Sequence, residues 1–166
     1  ALNIHPSLLP KYRGPSPIQT AILNGDKMSG ISIIKMDEKL DHGPIVAQKE
    51  MPLSDIDIFE SLHVKMFNEA ASLLPNIITH FVKGEMTPKE QDHEKATYCK
   101  HITKQDGYFP IDNPPPPKKL DRMIRAYYPW PTAWTRARIM NNESRIMKLL
   151  PGKRVQLEGG KPMTEK

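Results

Sequence analysis

Ala1-Leu-Asn-Ile-His5-Pro-Ser-Leu-Leu-Pro10-Lys-Tyr-Arg-Gly-Pro-Ser16 is the stretch that decides the fold class. A short apolar run stops at Asn3-x-His5 and gives way to a loop rich in Pro, Ser and Gly. This is the pattern of a buried strand delivering an amide and an imidazole at its carboxyl end, where ligands of open α/β sheets bind. Residues two apart on a strand face the same side, so Asn3 and His5 would act together. An amide donor beside a group that titrates near neutrality suits chemistry that creates an oxyanion and moves a proton. A strand bearing its chemistry at the third residue has no earlier strand to lie against. The expectation is therefore the later part of a larger domain, with an exposed sheet edge through which copies could associate.

Periodicity organises the rest. Pro17 to Gly25 reads as a short helix, with Pro in the first turn and Gly as the stop. Gly30–Met36 and Ile45–Met51 read as antiparallel neighbouring strands joined by the loop 37–44. Asp57 with Glu60 has capping-box spacing. Phe59, Leu62, Met66, Ala70, Leu73, Ile77 and Phe81 then follow a helical stripe, widened by Phe67, Leu74 and Ile78. Lys83-Gly84 ends this helix, and Pro75 inside it predicts a kink or a split. Residues 85 to about 112 are polar and aperiodic, the composition of a wrapping linker. A basic helix over Lys118–Tyr127 follows the Pro114–Pro117 run and stops at Pro129-Trp-Pro131. Ala133–Ile139, Arg145–Leu150 and Val155–Leu157 read as strands of a small β unit, too few to close a barrel.

Composition narrows the function classes. The chain has 166 residues, 38% hydrophobic and 26% charged, which fits a globular protein and excludes wholesale disorder. A formal net charge of +5 suits a polyanionic partner. Cys99 is the only cysteine, which excludes an internal disulfide and a multi-cysteine zinc site and favours a reducing, cytoplasmic setting. No apolar run reaches the ~20 residues needed to span a bilayer, and no membrane association is expected. His80, His93 and His101 lack HExxH spacing, so no metal is expected. His63 borders the apolar stripe and reads as an ordinary helix residue.

Asn3, His5 and Asp41 are the candidate constellation. From spacing alone two readings stay open: a site, or a polar strand end with Asp41 as an ordinary turn residue in Asp-His-Gly. The loop 7–14 reads as support and substrate approach, with Gly14 allowing a close turn and Lys11 and Arg13 as solvated charges or phosphate contacts. Trp130 and Trp134 read as buried packing aromatics in preference to base-stacking platforms. Lys118, Lys119, Arg122 and Arg125 form either a nucleic-acid patch or a plain solvated helix face.

Asn3-Ile-His5-Pro-Ser-Leu-Leu-Pro10 with Tyr12-Arg-Gly-Pro-Ser-Pro-Ile18 resembles the signature loop of folate-dependent formyltransferases. Gly30–Asp37 and Leu40-Asp-His-Gly-Pro-Ile-Val-Ala-Gln48 are similar to the second active-site block of that family, with Asp41 on its catalytic aspartate. His42 stands where the family often has a small or polar residue. Tyr98–Gly107 and Arg125–Trp134 resemble the linker and the start of the carboxyl-terminal domain in the methionyl-tRNA formyltransferase branch.

The resemblance implies an α/β fold: the C-terminal part of a formyltransferase-type nucleotide-fold sheet over 1–91, a linker over 92–112, and an incomplete OB-like open barrel starting over 113–166. It implies transfer of a formyl group from 10-formyltetrahydrofolate to the amine of methionyl initiator tRNA, by direct attack through a tetrahedral intermediate and without metal. Asn3 would bind the developing oxyanion, His5 would add positive charge, and Asp41 would orient His5 and relay protons. Ser7, Leu8, Leu9, Pro10, Leu40, His42 and Gly43 would line the folate site, and the four cations of 118–125 would meet tRNA. A sugar-nucleotide amine as acceptor, or an inactive RNA-binding fragment, are the alternatives. With the family's first strands and most of the barrel absent, weak or no activity is expected of the 166 residues alone.

Overall fold

The computed structural model describes residues 1–138, 144–152 and, as backbone, 155–157. Strand β1 (Leu2–His5) leads through the Pro-rich loop to helix α1 (Pro17–Asn24), strand β2 (Met28–Lys35) and strand β3 (Ile45–Pro52). The long helix α2 (Phe59–Val82) follows, then an irregular strap with two single 3₁₀ turns, helix α3 (Pro117–Tyr127), and strands β4 (Ala133–Arg138), β5 (Ser144–Leu149) and β6 (Val155–Leu157). The α/β class and most element positions agree with the sequence pattern; Ile139 lies outside the described residues.

Two antiparallel three-stranded sheets result, in the orders β1-β2-β3 and β4-β5-β6. In the first, Asn3 pairs with Ile34 and His5 with Ser32, while Ser32 pairs with Gln48 on the far side. Directly opposed residues share a face. Asn3, His5, Ser32 and Gln48 are therefore segregated from Leu2, Ile4, Ile33 and Ala47, which pack with Val46, Leu73 and Ile77 under α2. The polar face is the one the site uses.

The α2 stripe is buried as its period demands: Leu62, Met66, Ala70 and Ile77 face the core. Two details depart from expectation. Pro75 neither splits nor ends the helix, which runs unbroken to Val82; the Thr79 hydroxyl donates to the Pro75 carbonyl at 2.8 Å. Asp57 does not cap the helix, because its carboxylate accepts from the Ser54 N–H at 2.7 Å in the preceding turn. Ser61 Oγ instead accepts from the Ile58 N–H at 3.3 Å, half of a capping arrangement one residue later. Phe67 and Ile78, expected to widen the buried stripe, are exposed.

One core joins segments that the composition separates. Ile18, Ala21 and Ile22 of α1 pack with Met123, Ala126 and Tyr127 of α3, with Leu62, Met66 and Ala70 of α2, and with Phe109 and Ala133. The expected boundaries at 91 and 112 are thus crossed by a continuous apolar cluster. Gly25 caps α1 at φ +70°, a left-handed conformation that favours glycine, with the Arg122 guanidinium of α3 lying against it.

Candidate active site

Asn3, His5 and Asp41 converge. The Asp41 carboxylate, whose side chain is 10% exposed, sits between the other two. Its Oδ2 accepts the Gly14 N–H at 2.8 Å and lies 3.6 Å from His5 Nδ1. Its Oδ1 takes a long 3.4 Å bond from Asn3 Nδ2. The other His5 nitrogen, Nε2, is 2.9 Å from the Tyr12 carbonyl oxygen. A carbonyl only accepts, so Nε2 carries a hydrogen, and a proton on Nδ1 would point at Asp41. Asn3 Nδ2 has a second donor hydrogen, left over after its long contact with Asp41, to offer elsewhere.

Three loops hold this group. Asp41 adopts φ +48°, a left-handed conformation that aspartate tolerates better than most residues. Gly14, at φ +108°, brings its backbone against Cys99, where any Cβ would meet the Cys99 carbonyl oxygen at 2.6 Å. The third support is Gln91, which the sequence pattern does not single out. It is 5% exposed. Its Oε1 accepts from Arg13 Nε at 3.2 Å and Nη2 at 2.6 Å, and its Nε2 donates to the carbonyls of Asp41 at 2.9 Å and Gly43 at 2.7 Å. Aperiodic polar segments carry no pattern from which such a residue could be read.

Arg13 differs from expectation. It is 2% exposed, held by Gln91 and by His93 Nδ1 at 2.8 Å, and is a buried support instead of a solvated or phosphate-facing charge. Lys11 is tied at 2.8 Å to Asp26, which also accepts from the Tyr12 hydroxyl at 2.8 Å. Burial, followed by the Asp26 contact, pushes the Tyr12 phenol above its ordinary value.

The residues expected to line the folate site divide by environment. Ser7 and Leu9 are buried, with the Ser7 hydroxyl donating to the Lys11 carbonyl at 2.6 Å and its own carbonyl accepting from Ser32 Oγ at 2.7 Å. Leu8 closes against Gly30, and Gly43 packs against the Lys35 carbonyl, where a Cβ would not fit. Leu40 is exposed. His42 stacks on His93 with ring centroids 3.9 Å apart, and its Nδ1 lies 2.6 Å from Asp37 Oδ2. That hydrogen bond from His42 is the main reason the Asp37 carboxyl sits below its ordinary value. Pro10 and Leu9 border a groove of about 410 Å³ with Val46, Gln48, Lys89 and Gln91.

A separate cavity of about 290 Å³ opens beside His5, lined by Gly14, Pro17, Phe59, His63 and Phe67. His63 is accordingly a cavity residue, its ring 4.6 Å from that of Phe67. A third cleft of about 480 Å³ lies along α3, between Lys118, Arg122 and Arg125 on one side and Lys27 and Asp55 on the other. Two of the four expected cations are engaged internally. Arg125 is buried, bonded to Asp121 at 2.9 Å and to the Asp57 carbonyl at 3.0 Å, and Arg122 donates to the Asn24 carbonyl at 3.1 Å. Lys118 and Lys119 are exposed. Trp134 is buried and donates to the Lys104 carbonyl at 2.9 Å, whereas Trp130 is exposed instead of packed. No group of side chains suited to hold a metal ion occurs among the described residues. No described helix is long and apolar enough to cross a membrane.

The arrangement has relatives. A curated methionyl-tRNA formyltransferase from Roseiflexus sp. (strain RS-1) is 46% identical over 134 residues, 81% of this chain and 41% of the relative. The protein of the same name from Treponema denticola is 41% identical over 134 residues, again 81% of this chain and 41% of the relative. The chain thus spans about two fifths of the length of the curated relatives it matches. Among solved structures, a 4-N formyltransferase from Francisella tularensis superposes with a TM-score of 0.74 at 23% identity, covering 92% of this chain and 62% of that one. HypX from Aquifex aeolicus in complex with tetrahydrofolic acid gives 0.73 at 17% identity, covering 89% of this chain and 25% of that one. Both structures share the fold. The formyl transferase family model matches residues 1–78, the segment that supplies Asn3, His5, Gly14 and Asp41. Over these residues the chain matches the formyl transferase family.

Proposed function

We propose that this chain carries the catalytic centre of a folate-dependent formyltransferase whose acceptor is the amine of methionyl initiator tRNA. The observation that supports it most is the Asp41 carboxylate anchored by Gly14 N–H between Asn3 Nδ2 and His5 Nδ1. 10-Formyltetrahydrofolate supplies the carbonyl carbon that the amine attacks, the bond from that carbon to N10 breaking as the new amide forms. The residues fit such a donor. Asn3 has a spare amide hydrogen beside the carboxylate, and Leu9, Pro10 and Val46 offer apolar wall in the adjoining groove for a flat ring system.

Asn3 donates a hydrogen bond to the oxygen on which negative charge develops. His5, protonated on both nitrogens, places positive charge next to that oxygen, its Nε2–H kept in line by the Tyr12 carbonyl. Asp41 orients the imidazole and receives a proton from the attacking amine directly or through water, and that proton passes to N10 as its bond to the formyl carbon breaks. Ser7, Leu8, Leu9, Pro10, Leu40, His42 and Gly43 form and shape the folate side; buried Ser7 and Gly43 act there by setting backbone, and exposed Leu40 by contact. Lys118 and Lys119 are the exposed cations for acceptor phosphate, with Arg122 and Arg125 fixing α3.

The test is formyl transfer from 10-formyltetrahydrofolate to methionyl-tRNA, assayed with the 166-residue chain and with a chimera completed to the length of a curated relative. Transfer by the chimera that falls about a hundredfold in Asn3→Ala, the cost of one lost oxyanion donor, supports the reading. Transfer by the chimera to an amino-sugar nucleotide but not to tRNA keeps the chemistry and overturns the acceptor. Folate binding with no transfer to either acceptor overturns the enzymatic reading and leaves an inactive RNA-binding fragment.

A further inference from the structure

We infer that Gln91 is a positioning residue for the formyl-transfer centre, holding the backbone of Asp41 at the angle from which its carboxylate meets both Asn3 and His5. The inference rests on the functional reading above. Among the described residues, Gln91 is the one side chain from outside both site-bearing loops that hydrogen-bonds each of them: Arg13 on the first, Asp41 and Gly43 on the second. Its orientation is dictated by chemistry. A guanidinium only donates and a carbonyl only accepts, so Oε1 must face Arg13 and Nε2 must face the two carbonyls. All four hydrogen bonds that a glutamine amide makes are thereby used in a buried setting.

The device has two halves. Gly14 N–H fixes the Asp41 carboxylate, and Gln91 fixes the Asp41 main chain. Asp41 at φ +48° lies in a small, sparsely favoured well. Without a restraint on its carbonyl, a modest rotation would carry the carboxylate away from Nδ1, which is already 3.6 Å distant. Misplacement of a reacting group by about 1 Å can cost about a hundredfold in rate. Arg13 serves in turn to lock Gln91, and among the described residues it pairs with Gln91, His93 and Tyr98 without any carboxylate. Its charge therefore does not compete for Asp41.

Two variants separate positioning from bulk stability, both made in the completed chimera that carries transfer activity. Gln91→Glu keeps acceptors for Arg13 and so keeps the loop 7–14 in place, but turns a carboxylate oxygen toward the carbonyls of Asp41 and Gly43. The double variant Arg13→Met with Gln91→Met removes the buried guanidinium together with the amide that accepts from it, so no buried charge is left unpaired, while the Asp41 and Gly43 carbonyls lose their donor. In both, kcat is expected to fall about a hundredfold while KM for the formyl donor stays within about twofold and the thermal midpoint stays near wild type. Unchanged kcat in a folded Gln91→Glu protein overturns the inference. A parallel loss of kcat, donor affinity and thermal midpoint, or failure of both variants to fold, makes Gln91 a structural residue only and also overturns it. Inactive wild-type chimera is a different result, since it defeats the functional reading before Gln91 is tested.

Discussion

The Gly14 backbone N–H donates to Asp41 Oδ2 at 2.8 Å, a bond between residues 27 apart that leaves the same oxygen 3.6 Å from the His5 imidazole. A main-chain donor cannot rotate away, so the carboxylate is aimed by the fold itself. Asp41→Asn retains an oxygen for Gly14 but removes the charge facing His5. In an active, completed protein kcat should fall between about a hundredfold and ten-thousandfold, the range for loss of a proton-transfer partner, with little change in donor KM. Steady-state kinetics against donor concentration checks this; a comparable rise in KM would point to a binding role instead.

Gly14 itself is predicted to be irreplaceable on steric grounds. At φ +108° with the Cys99 carbonyl oxygen 2.6 Å from a Cβ, alanine is strained and overlapped at once. Gly14→Ala should destabilise the chain by more than about 1 kcal/mol, measured as a fall in the midpoint of chemical denaturation. Gly84, at φ +75° with open space around it, should lose less on the same change.

Acid stability should depend on Asp106. Its carboxyl is held below the ordinary 3.8, chiefly by the hydrogen bond from Lys100, against some opposing desolvation and helped by the Thr103 N–H and hydroxyl. A carboxylate with a folded pKa lower than the unfolded one contributes stability above the unfolded value and loses it as pH falls through the folded one. The contribution of Asp106 is therefore complete at neutral pH, begins to fall near the ordinary 3.8 and is lost as pH drops through the lower folded value. Asp106→Asn should narrow the stability difference between pH 7 and pH 3, read by thermal melts at the two pH values.

The exposed cations of α3 give a salt test. Lys118→Ala with Lys119→Ala should weaken tRNA binding by the completed protein and reduce the slope of log affinity against log salt by about 2, one for each phosphate no longer neutralised. Arg125→Ala should act differently. Removing a buried guanidinium that joins Asp121 to the Asp57 carbonyl should lower the thermal midpoint, and no change in that midpoint would contradict the placement of Arg125.

Legibility in the sequence follows the range of the physics involved. Asn3 and His5 could be paired from strand periodicity, because their relation is two residues long. The α2 stripe could be read for the same reason, and Leu62, Met66, Ala70 and Ile77 are buried as its period requires. Gln91 could not, since its partners lie 78 and 50 residues away and its own segment has no repeat. Arg13 reads as solvated because arginine usually is. Its burial depends on acceptors from the strap that folds across it, and no local pattern announces them. The capping spacing of Asp57 and Glu60 is real, yet the turn at Ser54 took the Asp57 carboxylate first. Where a polar side chain has several donors within reach, local spacing ranks them poorly.

The seating of α3 on α1 makes the molecule a gauge of fixed length. Residues 110–114 of the strap are exposed, and lengthening them would add only about 0.6 kcal/mol of closure entropy per doubling. The placement of α3, and with it of the backbone of Lys118 and Lys119, would not change, since it is set by Ile18, Ala21 and Ile22 against Met123 and Ala126. On the proposed function, an acceptor that reaches the His5 site with its amine and α3 with its phosphate would have to match that fixed placement. Drift in strap length leaves this measure intact, whereas a single bulky substitution at Ala21 or Ala126, both fully buried, would recalibrate it.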